Sequence, residues 1–409
     1  MVLAMNRRVA CIALHVVLDH ADQVPLGVRE LAELDHVSKW TTGCPIGAPF
    51  RAGGAGALIA PYPGGGMDTA TQERELLAAR DGDEGAYRRL VEVHRAELHA
   101  HCYRMLGSVH DAEDALQDAL LRAWRGLPRF EARSSLRSWL YQIATNASLD
   151  LIARRPKRVL PVDYVAAADP HDDLTPPDTP LVETVWMEPY PDEKLGLEDG
   201  LAAPEARYEQ RESVELAFVA ALQHLPPNQR AALILREVLG FSAREVAESL
   251  DTTPASVNSA LQRARVLVDE RLPDQSQQAT LRSLGDDRLS EIVERYSEAL
   301  EEGDVDAVLA LLTEDATWSM PPMPNWYRGH EAITGFLQKG PFTVRWRHVP
   351  TTANGQLAVG CYTWDEEKAC YSAFALDVLT LRGERIAEVT AFLDGAVFAR
   401  LGLPAELPA

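Results

Sequence analysis

A proline-rich acidic stretch, residues 156–204, constrains the fold of this 409-residue chain more than any other feature. It carries eleven acidic residues against three basic ones and has little helical or strand periodicity. Proline lacks the backbone N–H group that helix interiors and central strands use, so the composition predicts a linker. We therefore expect separately folded modules on either side of it.

Residues 67–155, on the N-terminal side, have the apolar periodicity of amphipathic helices. Gly107 and Ser108 interrupt the pattern, and the acids within Asp111–Asp114 begin the next helix, where they suit the helix dipole. A basic cluster at residues 154–158 follows the last helix. The pattern predicts an all-α module.

Residues 205–272, on the other side, contain the clearest local motif. Ser242 and Glu245 have capping-box spacing at the start of a short helix. Thr253 is a good N-cap, and Pro254 occupies the first helical position, where its missing N–H costs nothing. A short helix, a tight turn and a second helix with a polar outer face predict a helix-turn-helix, although the turn lacks the usual glycine.

Residues 286–403 change from helical to strand periodicity. Two amphipathic helices come first, over Leu289–Leu300 and Val305–Leu312. Five strand-like runs follow, at Ala316–Met320, Thr343–His348, Gln356–Thr363, Tyr371–Arg382 and Arg385–Leu393. Two helices followed by an antiparallel, curled sheet predict an α+β domain.

The net charge of −21, from 40 basic and 61 acidic residues, argues against a protein that binds nucleic acid on its own. The charge is uneven, because residues 67–155 carry 13 basic and 14 acidic residues and residues 205–272 carry 8 and 10. We therefore expect any DNA contact in these two nearly neutral modules.

The five cysteines contain no C-x-x-C pair, which argues against a disulfide scaffold or a zinc knuckle and favours a reducing cytoplasm. His99 and His101 lie two residues apart and cannot share a helical face, so no metal site is expected there. No cofactor is expected either. The sequence contains no run of about 18 apolar residues, so no membrane span is expected.

Residues 1–66 fit none of these modules. Arg7 and Arg8 precede a short apolar run with no cleavage site, so secretion is not expected. Three glycines, at 64–66, stand directly before Met67, and glycine codons are rich in G, as ribosome-binding sites are. We predict that Met67 is the true start, which N-terminal sequencing of the native protein tests.

The motifs on both sides of the linker together resemble a known family. Asp111–Asp118, Leu121–Arg125 and Ser135–Leu140 look like region 2 of bacterial sigma factors, and residues 209–272 look like region 4. The most similar group is the extracytoplasmic-function (ECF) sigma factors of RNA polymerase. Residues 286–403 resemble SnoaL-like domains, which a subgroup of these factors carries at the C-terminus.

This resemblance implies a fold and a function. The fold is multidomain: all-α region 2 and region 4 domains and a C-terminal α+β SnoaL-like, cone-shaped barrel. The function is promoter recognition in transcription initiation, with RNA polymerase core and promoter DNA as partners and with the C-terminal domain tuning core binding. A one-component DNA-binding regulator that senses a small ligand and a cyclase- or isomerase-type enzyme with a DNA-binding N-terminus are the alternatives.

The resemblance also assigns residues to the polymerase. It places Asp114, Gln117 and Asp118 against the clamp helices of the β′ subunit, where carboxylates and an amide suit arginine-rich partners. The alternative is a solvated acidic face with an Asp118–Arg122 helix pair. Region 4 is expected to meet the β flap.

Two further sets of residues are expected to contact DNA. The minus-ten set lies at the end of region 2 and comprises Phe130, Arg133, Asn146, Arg154 and Arg155. The minus-thirty-five set lies on the second helix of the helix-turn-helix and comprises Pro254, Ser256, Asn258 and Ser259, with Arg263 and Arg265 nearer the phosphates.

The linker leaves two questions open. The aromatic stretch Val185–Pro191 is either a docking segment or a patch that packs on the protein's own surface. The linker acids either mimic nucleic acid in the basic channels of the polymerase or simply form a solubilising tether.

The C-terminal domain offers polar and aromatic pocket candidates: Asp315, Trp318, Tyr327, His330 and His348. No paired carboxylates and no His–Asp spacing compel a reaction. A regulatory or ligand-sensing role is therefore favoured over catalysis, because fold analogy alone does not fix function.

Overall fold

The computed structural model describes residues 67–132, 134–168, 186–196 and 209–409. All of them belong to one compact unit. The predictions for residues 1–66, for Arg133 and for most of the acidic linker lie outside the described residues. In the part that is described, no helix combines the length and apolar character that a membrane span needs.

The first helical module consists of α1 (Thr69–Arg80), α2 (Glu84–Leu106), α3 (Val109–Gly126) and α4 (Leu136–Ile152). The predicted break between α2 and α3 is confirmed, because Gly107 ends α2 in the left-handed conformation and the Ser108 side chain caps α3. Ser135 caps α4 in the same way. The module core holds the large side chains Leu90, Leu98, Met105, Leu116 and Tyr141.

The second part of the linker is buried rather than extended into solvent. Trp186, Met187 and Tyr190 are almost completely buried. The Tyr103 hydroxyl of α2 donates to the Glu188 backbone oxygen at 2.8 Å, and Glu188 N donates to Gly107 O at 3.0 Å. In this structure the aromatic stretch therefore packs on the protein itself and is not exposed as a docking segment.

The second helical module consists of α5 (Leu216–Gln223), α6 (Pro227–Leu233), α7 (Ala243–Ser249) and α8 (Pro254–Asp269), with a π-helical turn at Ile234–Val238 after α6. The capping box of Ser242 and Glu245 is present, and the Thr253 side chain caps α8. Asp251 adopts φ 49° in the turn. Aspartate tolerates this left-handed conformation, which explains how the turn forms without glycine.

The C-terminal domain begins with α9 (Gln277–Leu284), α10 (Asp286–Glu302) and α11 (Val305–Leu311), and α12 (Gly329–Lys339) and α13 (Ala396–Arg400) follow within and after the sheet. The strands are β1 (Leu312–Ser319), β2 (Trp326–Arg328), β3 (Trp346–Ala353), β4 (Gln356–Asp365), β5 (Cys370–Arg382), β6 (Arg385–Phe392) and β7 (Glu406–Leu407). The sheet order is β2-β1-β6-β5-β4-β3, and β7 pairs with β5. This is the α+β fold that the sequence predicts.

The sheet pairs antiparallel except where β1 meets β6 in parallel. Apolar side chains of α10, α11 and α12 share one core with the strands, including Tyr296, Val308, Phe336 and Leu379. The strand prediction at Thr343–His348 was wrong in its bounds, because β3 runs on to Ala353 through Pro350. An edge strand tolerates this proline, since only one side of β3 forms a ladder.

Candidate polymerase and nucleic-acid interface

The outer face of α3 carries the residues predicted to bind the polymerase. Leu116, Ala119 and Ala123 are buried on the inner face, which turns Gln117 fully outward and leaves Asp118 half-exposed. Asp118 accepts a hydrogen bond from Arg122 at 2.6 Å, and Arg122 also pairs with Asp150 of α4 at 2.8 Å. The alternative helix pair therefore forms, while the face itself stays accessible.

Leu121, which was not among the predicted polymerase-binding residues, extends this surface. Its side chain is 56% exposed and lies one turn after Gln117. The sequence signal that could have identified Leu121 is its position outside the inward-facing period of an amphipathic helix. Leu121 therefore adds an apolar group to the accessible face that Gln117 and Asp118 form.

The N-terminal end of α3 is instead occupied by the chain's own arginines. Asp111 is buried and pairs with Arg155 and with Arg158, whose Nη2 lies 2.6 Å from Asp111 Oδ2. Arg155 also reaches Asp114 at 3.2 Å. Asp114 and Arg155, predicted for polymerase and DNA respectively, therefore contact each other, whereas Arg154 is exposed.

The remaining minus-ten residues differ in accessibility. Asn146 is exposed on α4. Phe130 is buried, and its ring lies 4.7 Å from that of Trp139, with the Arg80 guanidinium over it. In this conformation Phe130 therefore packs the end of the first module and offers no ring face to a base.

The minus-thirty-five residues lie together on α8. Val257, Leu261, Ala264 and Val268 face the core. The outward residues are Pro254, Ser256, Asn258, Ser259 and Arg263. Arg265 is only partly exposed and pairs with Glu237 at 2.6 Å, so its side chain is held against the π-helical turn.

The two helical modules contact each other directly. Ser138 Oγ of α4 lies 3.4 Å from Glu245 Oε1 of α7, and the Tyr141 ring lies 5.3 Å from that of Phe241. On the far side, Arg230 of α6 is buried and donates to the Met105 backbone oxygen of α2. Burial lowers the pKa of Arg230 to about 10.

The C-terminal candidates do not form one site. Asp315 lies on the exposed surface, where the ion pair with Arg382 lowers its pKa to about 2. Trp318 and Tyr327 are core residues against Phe336. His330 contacts the Thr313 backbone oxygen at 3.1 Å, and His348 Nδ1 contacts Glu301 at 3.3 Å.

The domain also contains a buried acid that was not among the predicted residues. Asp377 of β5 is almost completely buried and accepts a hydrogen bond from the Tyr296 hydroxyl at 2.8 Å. Burial raises the pKa of Asp377. A single acid inside an otherwise apolar strand was the signal that could have identified it.

The histidines of α2 have protein partners. His99 Nδ1 lies 2.9 Å from the Tyr190 hydroxyl, and His101 Nε2 lies 2.9 Å from Thr145 Oγ1. Burial lowers the pKa of His99 to about 4 and that of His101 to about 3. Across the described ranges, no group of histidine, cysteine and acidic side chains could hold a metal ion.

Three protein-family models match parts of the chain. Residues 90–158 match the Sigma-70 region 2 model, residues 215–268 match Sigma-70, region 4, and residues 293–389 match the SnoaL-like domain.

Several sigma factors are similar to this chain. The chain is 41% identical to the ECF RNA polymerase sigma factor SigG of Mycobacterium tuberculosis, covering 82% of this chain and 87% of that protein. It is 26% identical to SigW of Bacillus subtilis over 49% of this chain and 97% of that one. The crystal structure of Mycobacterium tuberculosis SigJ aligns with a TM-score of 0.47 and 23% identity, over 76% of this chain and 97% of that one.

Proposed function

Because the chain belongs to the ECF sigma factors of RNA polymerase, we propose that the outer face of α3 binds the polymerase core and the outer face of α8 reads promoter DNA. The observation that carries this proposal is the accessibility of both faces: Gln117 and Leu121 on α3, and Ser256 and Asn258 on α8.

The face of α3 suits the clamp helices of the β′ subunit. Asp118 and Gln117 offer acceptors to arginine-rich helices, and Leu121 supplies apolar area at the centre of the contact. Asp114 joins this surface when a basic group of the polymerase replaces Arg155, an exchange of one partly exposed ion pair for another.

The face of α8 suits the minus-thirty-five element of the promoter, with the β flap of the polymerase contacting the same module. Asparagine can form a bidentate pair with adenine, which assigns Asn258 to a base edge and Arg263 to phosphate. For the minus-ten element, the accessible residues are Asn146 and Arg154. Arg133 remains a prediction.

We infer that the C-terminal domain tunes this activity and performs no catalysis of its own. Its polar and aromatic candidates are separated between the exposed surface, where Asp315 pairs with Arg382, and the core, where Trp318 lies. A small ligand of this domain remains a proposal, as does action in the cytoplasm, where RNA polymerase works.

The two alternatives are not favoured. Neither a one-component regulator nor a cyclase-type enzyme requires a region 2 module, and the chain matches Sigma-70 region 2 over residues 90–158.

Affinity for purified core polymerase tests the proposed surface. Leu121→Ala removes an apolar contact and should weaken core binding about tenfold, as truncation of a central interface side chain does. Leu77→Ala is the matched control, because Leu77 of α1 is 61% exposed and lies outside the proposed face. Equal affinities of the two variants for core would refute the assignment of α3.

A further inference from the structure

The turn between β3 and β4 is the feature of the C-terminal domain that the proposed function does not use. It consists of Asn354 and Gly355, which adopt φ 57° and 68°. Positive φ at both central residues is typical of a type I′ turn, the tightest connection of a hairpin. Such a turn ordinarily points into solvent, but the Asn354 side chain is 0% exposed.

The turn is inserted between three other parts of the chain. Asn354 Nδ2 donates to the Tyr103 hydroxyl of the first module at 2.9 Å and to the Val214 backbone oxygen, beside the second module, at 2.8 Å. Its Oδ1 accepts from Tyr190 N of the linker at 2.8 Å. Through these three hydrogen bonds, the side chain of Asn354 connects both helical modules and the linker.

Neighbouring groups complete the socket around the turn. Gly355 N donates to Asp192 Oδ1 of the linker at 2.7 Å, and Leu216 N of α5 donates to Gln356 Oε1 at 2.8 Å. A Cβ atom at Gly355 would lie 2.9 Å from Arg211 Cβ and 3.1 Å from the Arg211 backbone oxygen. The socket therefore fits glycine and no larger residue.

With the turn in this socket, the two DNA-binding faces are too close to use a promoter together. Gln142 Nε2 of α4 lies 3.4 Å from the Glu248 backbone oxygen of α7. Asn146 is one helical turn from Gln142 on α4. Asn258 follows Glu248 by ten residues, and ten residues of fully extended chain span at most about 35 Å. With about 10 Å for the helix contact, the two asparagines lie no more than roughly 50 Å apart.

The promoter elements lie farther apart than that. Minus-ten and minus-thirty-five differ by about 25 base pairs, and at about 3.4 Å per base pair this is roughly 85 Å of duplex. The modules must therefore separate before both elements are bound. Separation breaks the hydrogen bonds of Asn354, because its partners belong to different modules.

We propose that the Asn354–Gly355 turn is a latch, which holds regions 2 and 4 together in the free chain and must leave its socket before the chain can bind both promoter elements. The proposal rests on the sigma-factor function proposed above, and it gives the tuning by the C-terminal domain an inhibitory direction. The contacts of Asn354 are all with uncharged groups, so salt alone releases the latch poorly.

Two variants with matched controls test the latch in the full-length chain. Gly355→Ala forces a Cβ against Arg211, and its control is Gly383→Ala in the β5–β6 turn, where φ is 61° and an added Cβ has no neighbour within 4 Å. Both substitutions carry the same left-handed backbone cost, so only the socket distinguishes them.

The second variant removes a single hydroxyl. Tyr103→Phe deletes one of the two partners of Asn354 Nδ2, together with the bond from the same hydroxyl to the Glu188 backbone oxygen of the linker. Its control, Tyr362→Phe, deletes a hydroxyl that donates to the Pro404 backbone oxygen at 2.9 Å within the C-terminal domain. This variant leaves the backbone of the turn unchanged, so it still tests the latch if Gly355→Ala folds poorly.

The measurements are the radius of gyration in solution and run-off transcription with core polymerase at limiting sigma factor. Gly355→Ala and Tyr103→Phe should increase the radius and raise transcription about fivefold or more, since the first forces a Cβ against Arg211 and the second loses a net hydrogen bond. The controls should match the unaltered chain in both measurements.

Other outcomes decide against the proposal. An unchanged radius and unchanged transcription for both variants would overturn the latch, and a larger radius with reduced transcription would overturn its inhibitory direction. If the unaltered chain and every variant produced no transcript, the proposed function would fail. The radius of gyration alone would then decide the latch.

Discussion

The ion pair between Asp111 and Arg158 allows a quantitative prediction about stability. Both side chains are buried, and Arg158 donates to Asp111 through Nε at 3.2 Å and Nη2 at 2.6 Å. Asp111→Ala leaves the guanidinium of Arg158 without its carboxylate in a site from which water is excluded. Loss of one partner of a buried pair costs about 3–5 kcal/mol of the free energy of unfolding.

Asp118→Ala provides the comparison on the same helix. Asp118 also pairs with an arginine at 2.6 Å, but its side chain is 48% exposed. Exposed pairs contribute about 0–1 kcal/mol. The two substitutions therefore remove the same chemical group, and they differ in burial and in the second arginine, Arg155, that also pairs with Asp111.

Urea unfolding followed by circular dichroism measures the difference. With a slope of about 2 kcal/mol per molar urea, Asp111→Ala should lower the midpoint of region 2 unfolding by about 1.5–2.5 M. Asp118→Ala should lower it by less than about 0.5 M. If the two midpoints agreed within error, burial of the Asp111 pair would not stabilise region 2 and the reasoning would be refuted.

Three further predictions concern pH and DNA. Burial raises the pKa of Glu215 to about 8 from an ordinary value of 4.5, so the folded chain binds the extra proton between these values. Stability should therefore fall by up to about 1.4 kcal/mol per unit as pH rises from 5 to 7.5, and Glu215→Gln should flatten this slope in urea titrations. Asn258→Ala should weaken binding of the core-bound protein to a minus-thirty-five duplex about tenfold, and the loss should depend on the base at one position. Competition with duplexes that carry single-base changes measures this, and equal losses on all duplexes would contradict base reading. Arg154→Gln should weaken binding to all promoter sequences alike and reduce the salt slope by about 1, and an unchanged slope would remove Arg154 from the phosphate contacts.

Local signals predicted the helical modules well. Ser242 and Thr253 both cap helices as expected, because a side-chain oxygen at the N-cap satisfies backbone N–H groups that the helix itself leaves unpaired. The polar outer face of α8 was also predicted, since burial of the opposite face follows directly from helical periodicity.

Contacts distant in sequence escaped prediction. Tyr190 and Asn354 lie 164 residues apart and share a hydrogen bond in a socket that neither local pattern indicates. The linker stretch at residues 186–196 has no periodicity because tertiary partners, rather than its own backbone, satisfy its polar groups.

The candidate sites were predictable as surfaces and less so as individual residues. Asn146, Gln117 and Asn258 are exposed as the helical pattern requires. Phe130 packs against Trp139, and Arg155 pairs with Asp111, because an aromatic ring and a cation find partners within the fold that sequence spacing does not reveal.

Run-off transcription with purified core polymerase is the decisive measurement of the proposed function. We expect a specific transcript from a cognate promoter when this chain is the only sigma factor present, and loss of that transcript when residues 205–272 are removed. A transcript that depends on an added resident sigma factor, or a chain that never associates with core, would refute a sigma-factor function.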